Sequence, residues 1–304
     1  MFAGLLRIHH LGIRSYARSN RPTDLGERMS VLVVGATGKT GQPLVETLAA
    51  RGVEVRAATR HTAPGPGAAV HFAWAQRATW QPALAGVDAL YVVGPYAEPD
   101  APVLVRDLLA AATEVRRVVL LSILGVDALP DVIPMALWEQ QVRESGLDWT
   151  ILRPNWFMQN FSSLFAESLR DHGRLALPAG DAAVSFVDTR DIALVAAASL
   201  TEDGHAGNHY TLTGPEALTH GEVVALLGAA AGRDLRYVPL TPGGFANDLR
   251  HGGASDTVIT WQSALFELIR DGANSPVTGT VERITGNPAR TLKAYAEQSA
   301  DAWR

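Results

Sequence analysis

The glycine spacing Gly35-x-x-Gly38-x-x-Gly41 constrains this 304-residue chain more than any other feature. The three glycines follow a wholly apolar run at residues 31–34, of the kind that forms a buried parallel strand. A helical pattern of apolar residues begins directly after them. Between a strand and a helix, glycines let the backbone turn sharply and approach a pyrophosphate, whose charge the helix N-terminus attracts. The spacing therefore predicts a dinucleotide-binding loop.

A competing phosphate motif uses the same residues, because Gly38-Lys39-Thr40 looks like the end of a P-loop. That motif requires a glycine five residues before Gly38, and Val33 occupies the position. Glycine also recurs at Gly41, as the dinucleotide motif requires. We therefore interpret the loop as one for a nicotinamide dinucleotide rather than for ATP.

Apolar runs alternate with helical patterns through the first half of the chain. This alternation predicts βαβ units and an α/β fold, a Rossmann-like doubly wound parallel sheet with a smaller C-terminal α+β lobe for the substrate. The ligand crevice is expected at the carboxyl ends of the strands. The predicted strands cover residues 31–34, 53–60, 70–74, 89–93, 118–121, 149–152 and 184–187, with helices over 101–113 and 135–144.

Three segments follow from this pattern. Residues 1–28 carry five arginines against one Asp and one Glu, and we expect this basic extension to lie outside a fold that Met29 opens. Residues 29–158 are predicted to form the NADP-binding domain and 159–304 mainly the substrate-binding lobe. A helix over 188–200, with Asp188 as its N-cap, is expected to return to the first domain.

Composition excludes several classes of protein. The chain has no cysteine, so disulfides, thiolate metal sites and cysteine nucleophiles are ruled out. Its net charge of −5 argues against nucleic-acid binding. The sequence contains no run of 18 apolar residues, so we expect no transmembrane helix. His205 and His209 are four residues apart, but the intervening Gly207 and Asn208 disfavour a helix that would present both to zinc. We expect a cytoplasmic monomer or homodimer that binds a small molecule and no metal.

The second predicted strand ends at Arg60 and not at an acidic residue. An acid there would bind the ribose 2′-hydroxyl of NAD, whereas an arginine suits the additional phosphate of NADP. The expected cofactor is therefore NADPH, or NADP⁺ after reaction.

Longer motifs resemble a known family. The segments VLVVGATGKTG, VRAATR, RRVVLLSILG, SGLDWTILRPNWFMQNF and FVDTRDIA resemble the NmrA-like branch of atypical short-chain dehydrogenases. RPNWFMQNF, TLTGPEALTH and VERITGNPARTLKAYAEQSADAW are similar to the group that contains the agroclavine and festuclavine dehydrogenases of ergot alkaloid pathways. The likeness covers residues 30–303 and implies an NADP-dependent reductase of secondary metabolism.

The resemblance also implies roles for individual residues. It places Arg60 at the 2′-phosphate and leaves Phe72 and Trp74 for adenine, because Ala73 stands where the family often carries an Asp. The pyrophosphate loop would comprise Gly35, Thr37, Gly38, Lys39, Thr40 and Gly41. The loop at the nicotinamide ribose would comprise Val93, Gly94 and Pro95. The segment beside the nicotinamide ring would comprise Pro154, Asn155, Trp156 and Phe157.

Catalytic residues are harder to find. The Tyr-x-x-x-Lys pair of ordinary short-chain dehydrogenases is absent, because Gly35 and Ala289 lie four residues before the only lysines, Lys39 and Lys293. The lysine of many NmrA-like relatives is replaced by Ala136. Ser122 and Tyr96 remain as weak candidates for a catalytic role.

Two explanations are compatible with this absence. Hydride addition to an iminium carbon gives the amine directly and requires no protein acid. Alternatively, the protein is a non-catalytic NADP-sensing regulator that binds a partner protein. Reduction of a quinone or enone, with Tyr96, Ser122 or solvent as the proton source, is a further alternative. The side chains expected to form the substrate pocket are the aromatic Trp138, Trp156, Phe157 and Phe161 and the apolar Met158.

Overall fold

The computed structural model describes residues 29–60, 65–96, 98, 100–129 and 134–304. The predicted basic extension, residues 1–28, lies outside the described residues. The strands are β1 (Ser30–Val34), β2 (Glu54–Thr59), β3 (Ala68–His71), β4 (Ala89–Val93), β5 (Arg117–Leu121), β6 (Asp148–Pro154), β7 (Arg174–Leu177), β8 (Ala183–Val184), β9 (Asn208–Leu212), β10 (Leu218–Thr219) and β11 (Arg236–Pro239).

Helices follow most of the strands. They are α1 (Gly41–Ala50), α2 (Trp80–Leu84), α3 (Ala101–Ala111), α4 (Met135–Glu144), α5 (Ala166–His172), α6 (Thr189–Thr201), α7 (His220–Ala231), α8 (Pro242–His251), α9 (Asp256–Arg270), α10 (Thr280–Thr285) and α11 (Leu292–Gln298). The helix predicted over residues 135–144 forms with those bounds.

Seven strands form one parallel sheet in the order β3-β2-β1-β4-β5-β6-β9. Strand β1 is buried along its whole length, because α1, α6 and α10 cover one face of the sheet and α2, α3 and α4 the other. The predicted Rossmann-like α/β fold is confirmed. The strand order reverses between β1 and β4, and ligands of such sheets bind outside the carboxyl ends at that point.

A second apolar core belongs to the C-terminal lobe. It lies among α5, α7, α8, α9 and α11, beside a parallel pair, β7 and β11, and an antiparallel pair, β8 and β10. The chain crosses between the two parts more often than the sequence indicates. The sequence assigned residues from about His209 onward to the lobe, but β9 pairs with β6 and α10 packs against α6. Alternation in a short strand does not reveal which neighbour it pairs with.

Two predicted strands are shorter in the structure than the sequence indicates. Residues 70–74 were expected in one strand, but β3 ends at His71 because Phe72 turns into a core where its ring stacks on Trp80 at 6.2 Å. The strand predicted over 184–187 ends at Val184, since the backbone N–H of Ser185 donates to the carbonyl of Asn274.

Candidate cofactor and substrate site

The glycine loop folds back on itself at the carboxyl end of β1. Gly35 has a φ of +83°, and the Gly38 N–H donates to the Gly35 carbonyl oxygen at 2.9 Å. A Cβ at Gly41 would lie 2.1 Å from that same oxygen, so only glycine lets α1 begin this close to the strand. The turn brings the N-terminus of α1 close to the end of β1, where the partial positive charge of the helix would face a dinucleotide pyrophosphate. The loop therefore fits the cofactor that the sequence predicts.

A groove of about 390 Å³ lies between the loop, α1 and the end of β2. Its lining includes Thr37, Gln42, Glu46, Thr59 and Gly67. Arg60 follows Thr59 directly and is exposed at the end of β2. Rossmann folds bind the adenosine ribose at this strand end, so Arg60 stays the sequence-based candidate for contact with a 2′-phosphate.

Lys39 contacts the segment after β6. Its Nζ donates to the Oδ1 of Asn160 at 2.8 Å, and burial lowers the pKa of the Lys39 amine below its ordinary value. Asn160 lies in a 3₁₀ turn that follows Trp156 and Phe157. The hydrogen bond therefore joins the glycine loop to the segment that the sequence places beside the nicotinamide.

Gly94 lies directly on Trp138. A Cβ at Gly94 would be 2.1 Å from the Trp138 ring, so glycine allows the loop after β4 to rest on the indole. Trp138 has no exposed surface, and its Nε1 donates to the carbonyl oxygen of Ala101 at 2.8 Å. The prediction that Trp138 forms a pocket wall is therefore corrected: this indole supports the loop from below.

Two other predicted wall residues are also core residues. Met158 and Phe161 are each 1% exposed and pack in the core of the C-terminal lobe, where the rings of Phe161 and Phe186 are 5.2 Å apart. Neither presents a surface to a substrate. Trp156 and Phe157 are half-buried and remain candidates. Aromatic composition alone does not distinguish a pocket wall from a core.

Asn155 differs from the sequence-based expectation in its contacts. Its Nδ2 donates to Ser185 Oγ and the Asn274 carbonyl, while its Oδ1 accepts from the Trp156 N–H and Asn274 Nδ2, all at 2.7–2.9 Å. The side chain is buried and each of its polar atoms is already bonded. Asn155 therefore holds the neighbouring segments together instead of offering its amide to a cofactor, and Pro154 is buried beside it.

The aromatic residues expected at the adenine are also partly enclosed. Phe72 is 4% exposed and contributes to the main core, so its ring does not present a free face to adenine. Trp74 is half-buried, with its ring edge-on to Phe72 at 5.3 Å. Trp74 is the one of this pair that retains surface for a ligand.

Ser122 and Glu139 form the centre of a buried polar network. Ser122 Oγ donates to Glu139 Oε1 at 2.5 Å, and Arg153 donates to both carboxylate oxygens at 2.9 and 2.7 Å. Arg143 donates to Oε2 at 2.5 Å. Burial alone would raise the pKa of Glu139, but the hydrogen bonds from Arg153 and Ser122 and the charge of Arg143 outweigh it, so the pKa lies below its ordinary value. Glu139 is therefore an ionised acceptor and cannot serve as an acid.

Tyr96 is the second catalytic candidate, and 37% of its surface is exposed. Its ring meets Trp138 edge-on at 5.1 Å and stacks on Trp261 at 5.8 Å, with 17° between the planes. Burial against these rings raises the pKa of the Tyr96 hydroxyl. The hydroxyl is therefore a weaker acid than an ordinary phenol.

Helix α9 was missed by the sequence analysis and packs against the loops that follow β4 and β5. Trp261 faces Tyr96, and Leu268 lies against Gly125, where a Cβ would be 3.0 Å from Leu268 Cδ1. On the other side of the same helix, Phe266 contacts the ring of Trp156 at 5.1 Å. The heptad spacing of Trp261 and Leu268 could have marked one face of a helix, but not what the face meets.

Within the part of the chain that the structure describes, no group of three His, Asp or Glu residues could hold a metal ion. Among those same residues no helix is long and apolar enough to span a membrane.

Comparison with known proteins shows what the chain is similar to. The NAD(P)H-binding family profile matches residues 35–203. An NAD(P)H azoreductase from Xenophilus azovorans is 34% identical, over 90% of this chain and 99% of the relative. A (4-alkanoyl-5-oxo-2,5-dihydrofuran-3-yl)methyl phosphate reductase from Streptomyces griseus is 37% identical, with the same two shares.

A festuclavine synthase and a solved structure extend this pattern. Festuclavine synthase I from Penicillium roqueforti is 28% identical, over 90% of this chain and 100% of the relative. The NADPH-dependent quinone oxidoreductase of Escherichia coli superposes with a TM-score of 0.76, at 24% identity, over 89% of this chain and 99% of that chain. The structural match shows the same fold.

Proposed function

The chain belongs to the NAD(P)H-binding, NmrA-like family of oxidoreductases, and we propose that it is an NADPH-dependent reductase of secondary metabolism. Its substrate class is an iminium or another activated, conjugated small molecule. The main alternative within the same class is a quinone or enone.

The closed network around Glu139 is the observation that carries this proposal. Ser122 is 3% exposed, and its hydroxyl already donates a hydrogen bond to Glu139. Glu139 also accepts hydrogen bonds from Arg143 and Arg153 and is ionised. Neither group is in a state to protonate a substrate. An acceptor that receives hydride without help from a strong protein acid matches this site better than a simple ketone, whose alkoxide requires a proton.

When bound, the nicotinamide supplies a hydride, with both electrons, to the acceptor carbon and is itself oxidised. The protein contributes position and environment. The glycine loop would hold the pyrophosphate, and the loop of Val93, Gly94 and Pro95 lies beside it at the sheet edge. The rings of Trp156 and Phe157, both half-buried, would supply apolar surface at the same edge. Flat, conjugated molecules match such a surface.

The printed names of the relatives support an acceptor of this kind. An azo group is an N=N double bond that accepts hydride, and a dihydrofuranone that carries an alkanoyl group contains conjugated double bonds. For the choice of cofactor, the exposed guanidinium of Arg60 at the end of β2 supports NADPH over NADH.

Single-turnover oxidation of NADPH across cyclic iminium ions, enones, quinones and azo compounds tests the proposal. We expect turnover with members of this panel. Ser122→Ala and Tyr96→Phe should each keep the rate within about tenfold, against the ~10²–10⁴-fold loss typical of a general acid. Trp156→Ala should cost about 10², because it removes a wall that positions the substrate.

Saturating substrate keeps binding losses out of these rates. A thousandfold loss in Ser122→Ala or Tyr96→Phe would identify a proton donor and refute the acid-free mechanism. Tight NADPH binding without turnover on any acceptor would instead favour the non-catalytic regulator.

A further inference from the structure

Helix α9 carries two apolar stripes with different degrees of burial. Ile259, Phe266 and Ile269 are buried, and the latter two belong to the core of the C-terminal lobe. Trp261 and Leu268, seven residues apart on the other side, are only half-buried. They face the loops that follow β4 and β5, where Tyr96 and Gly125 lie. One face of α9 therefore anchors the helix, and the other packs against the loops at the carboxyl ends of β4 and β5.

Trp261 has an unusual polar atom for this position. Its indole Nε1 is buried, and among the described residues it has no hydrogen-bond partner. Buried N–H groups are normally bonded, and leaving one unpaired destabilises the folded protein. Other buried indoles of this protein are bonded: Trp138 Nε1 donates to the carbonyl of Ala101, and Trp80 Nε1 donates to the carbonyl of Ala73. The indole of Trp261, whose donor is unpaired, stacks on the ring of Tyr96.

We propose that Trp261 selects the substrate by donating a hydrogen bond from Nε1 to a neutral heteroatom conjugated with the bond that is reduced, such as the carbonyl oxygen of an enone or quinone. This inference rests on the proposed function and narrows its substrate class. When hydride arrives at the acceptor carbon, the electron pair of the conjugated bond moves to that oxygen, and water supplies the proton. The indole N–H stabilises the oxygen while it gains negative charge.

The same donor distinguishes the two substrate classes left open above. A carbonyl oxygen has lone pairs in the plane of the conjugated system and accepts a hydrogen bond before and after reduction. An iminium nitrogen has no lone pair to offer until it has been reduced. Trp261 therefore favours conjugated carbonyl compounds over iminium ions of similar shape.

Trp261→Phe tests this inference, because it retains an aromatic ring against Tyr96 and removes the donor; the smaller ring affects carbonyl and iminium acceptors alike. In single-turnover assays with NADPH, we expect the rate with menadione and with a cyclic enone to fall about 10–100-fold. The rate with a preformed cyclic iminium should change less than threefold. Trp149→Phe is the matched control, since Trp149 lies at the opposite end of β6 and its loss should alter neither rate.

A binding measurement separates this inference from the proposed function. With NADP⁺ in place of NADPH, menadione forms a complex that cannot react, and calorimetry should show about fivefold weaker binding to Trp261→Phe. Equal effects on carbonyl and iminium acceptors, or none, would overturn the role of Trp261 while leaving the reductase intact. If the wild type reduces no acceptor, the proposed function fails, and the calorimetric difference alone decides whether Trp261 binds the carbonyl. Melting temperatures confirm that both variants fold.

Discussion

Replacing Arg153 with methionine should reveal how much the fold depends on the network around Glu139. Arg153 is the main partner of a carboxylate that is 1% exposed, and its guanidinium also pairs with the exposed carboxylate of Asp127 at 2.9 Å. Methionine has similar length and no charge. The variant leaves Glu139 with Ser122 and Arg143 as its remaining donors.

The magnitude follows from these contacts. Removing one partner of a buried ion pair costs about 3–5 kcal/mol, because the other charge stays buried without compensation. Since Ser122 and Arg143 still donate to Glu139, we expect the lower end, about 3 kcal/mol. The exposed pair with Asp127 adds at most about 1 kcal/mol. For a chain of this size the melting temperature should fall by roughly 5–7 °C.

The loss should also depend on pH. In the wild type the pKa of Glu139 lies below its ordinary value, so its contribution is present at neutral pH and lost as the pH falls through that folded pKa. Burial has the largest single effect on the pKa of Glu139, and Arg153 is its main opponent, so in the variant we expect that pKa to rise above its unfolded value and stability to increase as the pH falls. The difference between the two proteins should therefore narrow between pH 7 and about pH 5.

Urea denaturation at several pH values measures both effects. Arg143→Met is the matched control, because the side chain of Arg143 is 38% exposed and its loss should cost about 1 kcal/mol. Adding Glu139→Leu to Arg153→Met should recover stability by removing the unpaired charge. A loss below about 1 kcal/mol for Arg153→Met, or a difference that does not change with pH, would refute the reasoning.

Three further predictions concern the cofactor and the lobe. Arg60→Ala should weaken NADPH by roughly 10–150-fold and leave NADH nearly unchanged, since a charge-assisted hydrogen bond is worth about 1.5–3 kcal/mol; equal losses in a fluorescence titration would contradict the 2′-phosphate assignment. Gly41→Ala should abolish NADPH binding, because its Cβ would lie 2.1 Å from the Gly35 oxygen, whereas Gly243→Ala, with nothing within 4 Å, should not. Burial lowers the pKa of His220 to about 4, so the folded state binds fewer protons than the unfolded state below about pH 6.5 and loses stability as the pH falls. His220→Leu should flatten the stability curve between pH 6.5 and 4, by about 3 kcal/mol, and an unchanged curve would exclude His220 as the cause.

Local patterns account for the parts of this protein that sequence reasoning predicted. The apolar run of β1, the glycine loop and the start of α1 are adjacent in the chain, so spacing alone places them together. Strand β4 and helix α4 have the predicted bounds for the same reason. Apolar periodicity and turn residues act over a few positions, and a single sequence displays them fully.

The substrate side of the site depended on packing that no local pattern contains. Four of the residues proposed from sequence, Trp138, Asn155, Met158 and Phe161, are buried, and the indole at the crevice is Trp261. An aromatic residue in the sequence carries no sign of whether its ring faces a core or a cleft. That outcome follows from which helix lies above it.

The sequence by itself determined the sheet, its cofactor loop and the absence of a Tyr-x-x-x-Lys pair, because each is a matter of residue type at short spacing. Only the tertiary structure decided which polar groups are already bonded and which are available. Asn155 is bonded by Asn274, 119 residues away, and Lys39 by Asn160, 121 residues away. Such partners meet only when distant segments of the chain pack together. A donor or acceptor that is hydrogen-bonded within the protein is less available to a substrate.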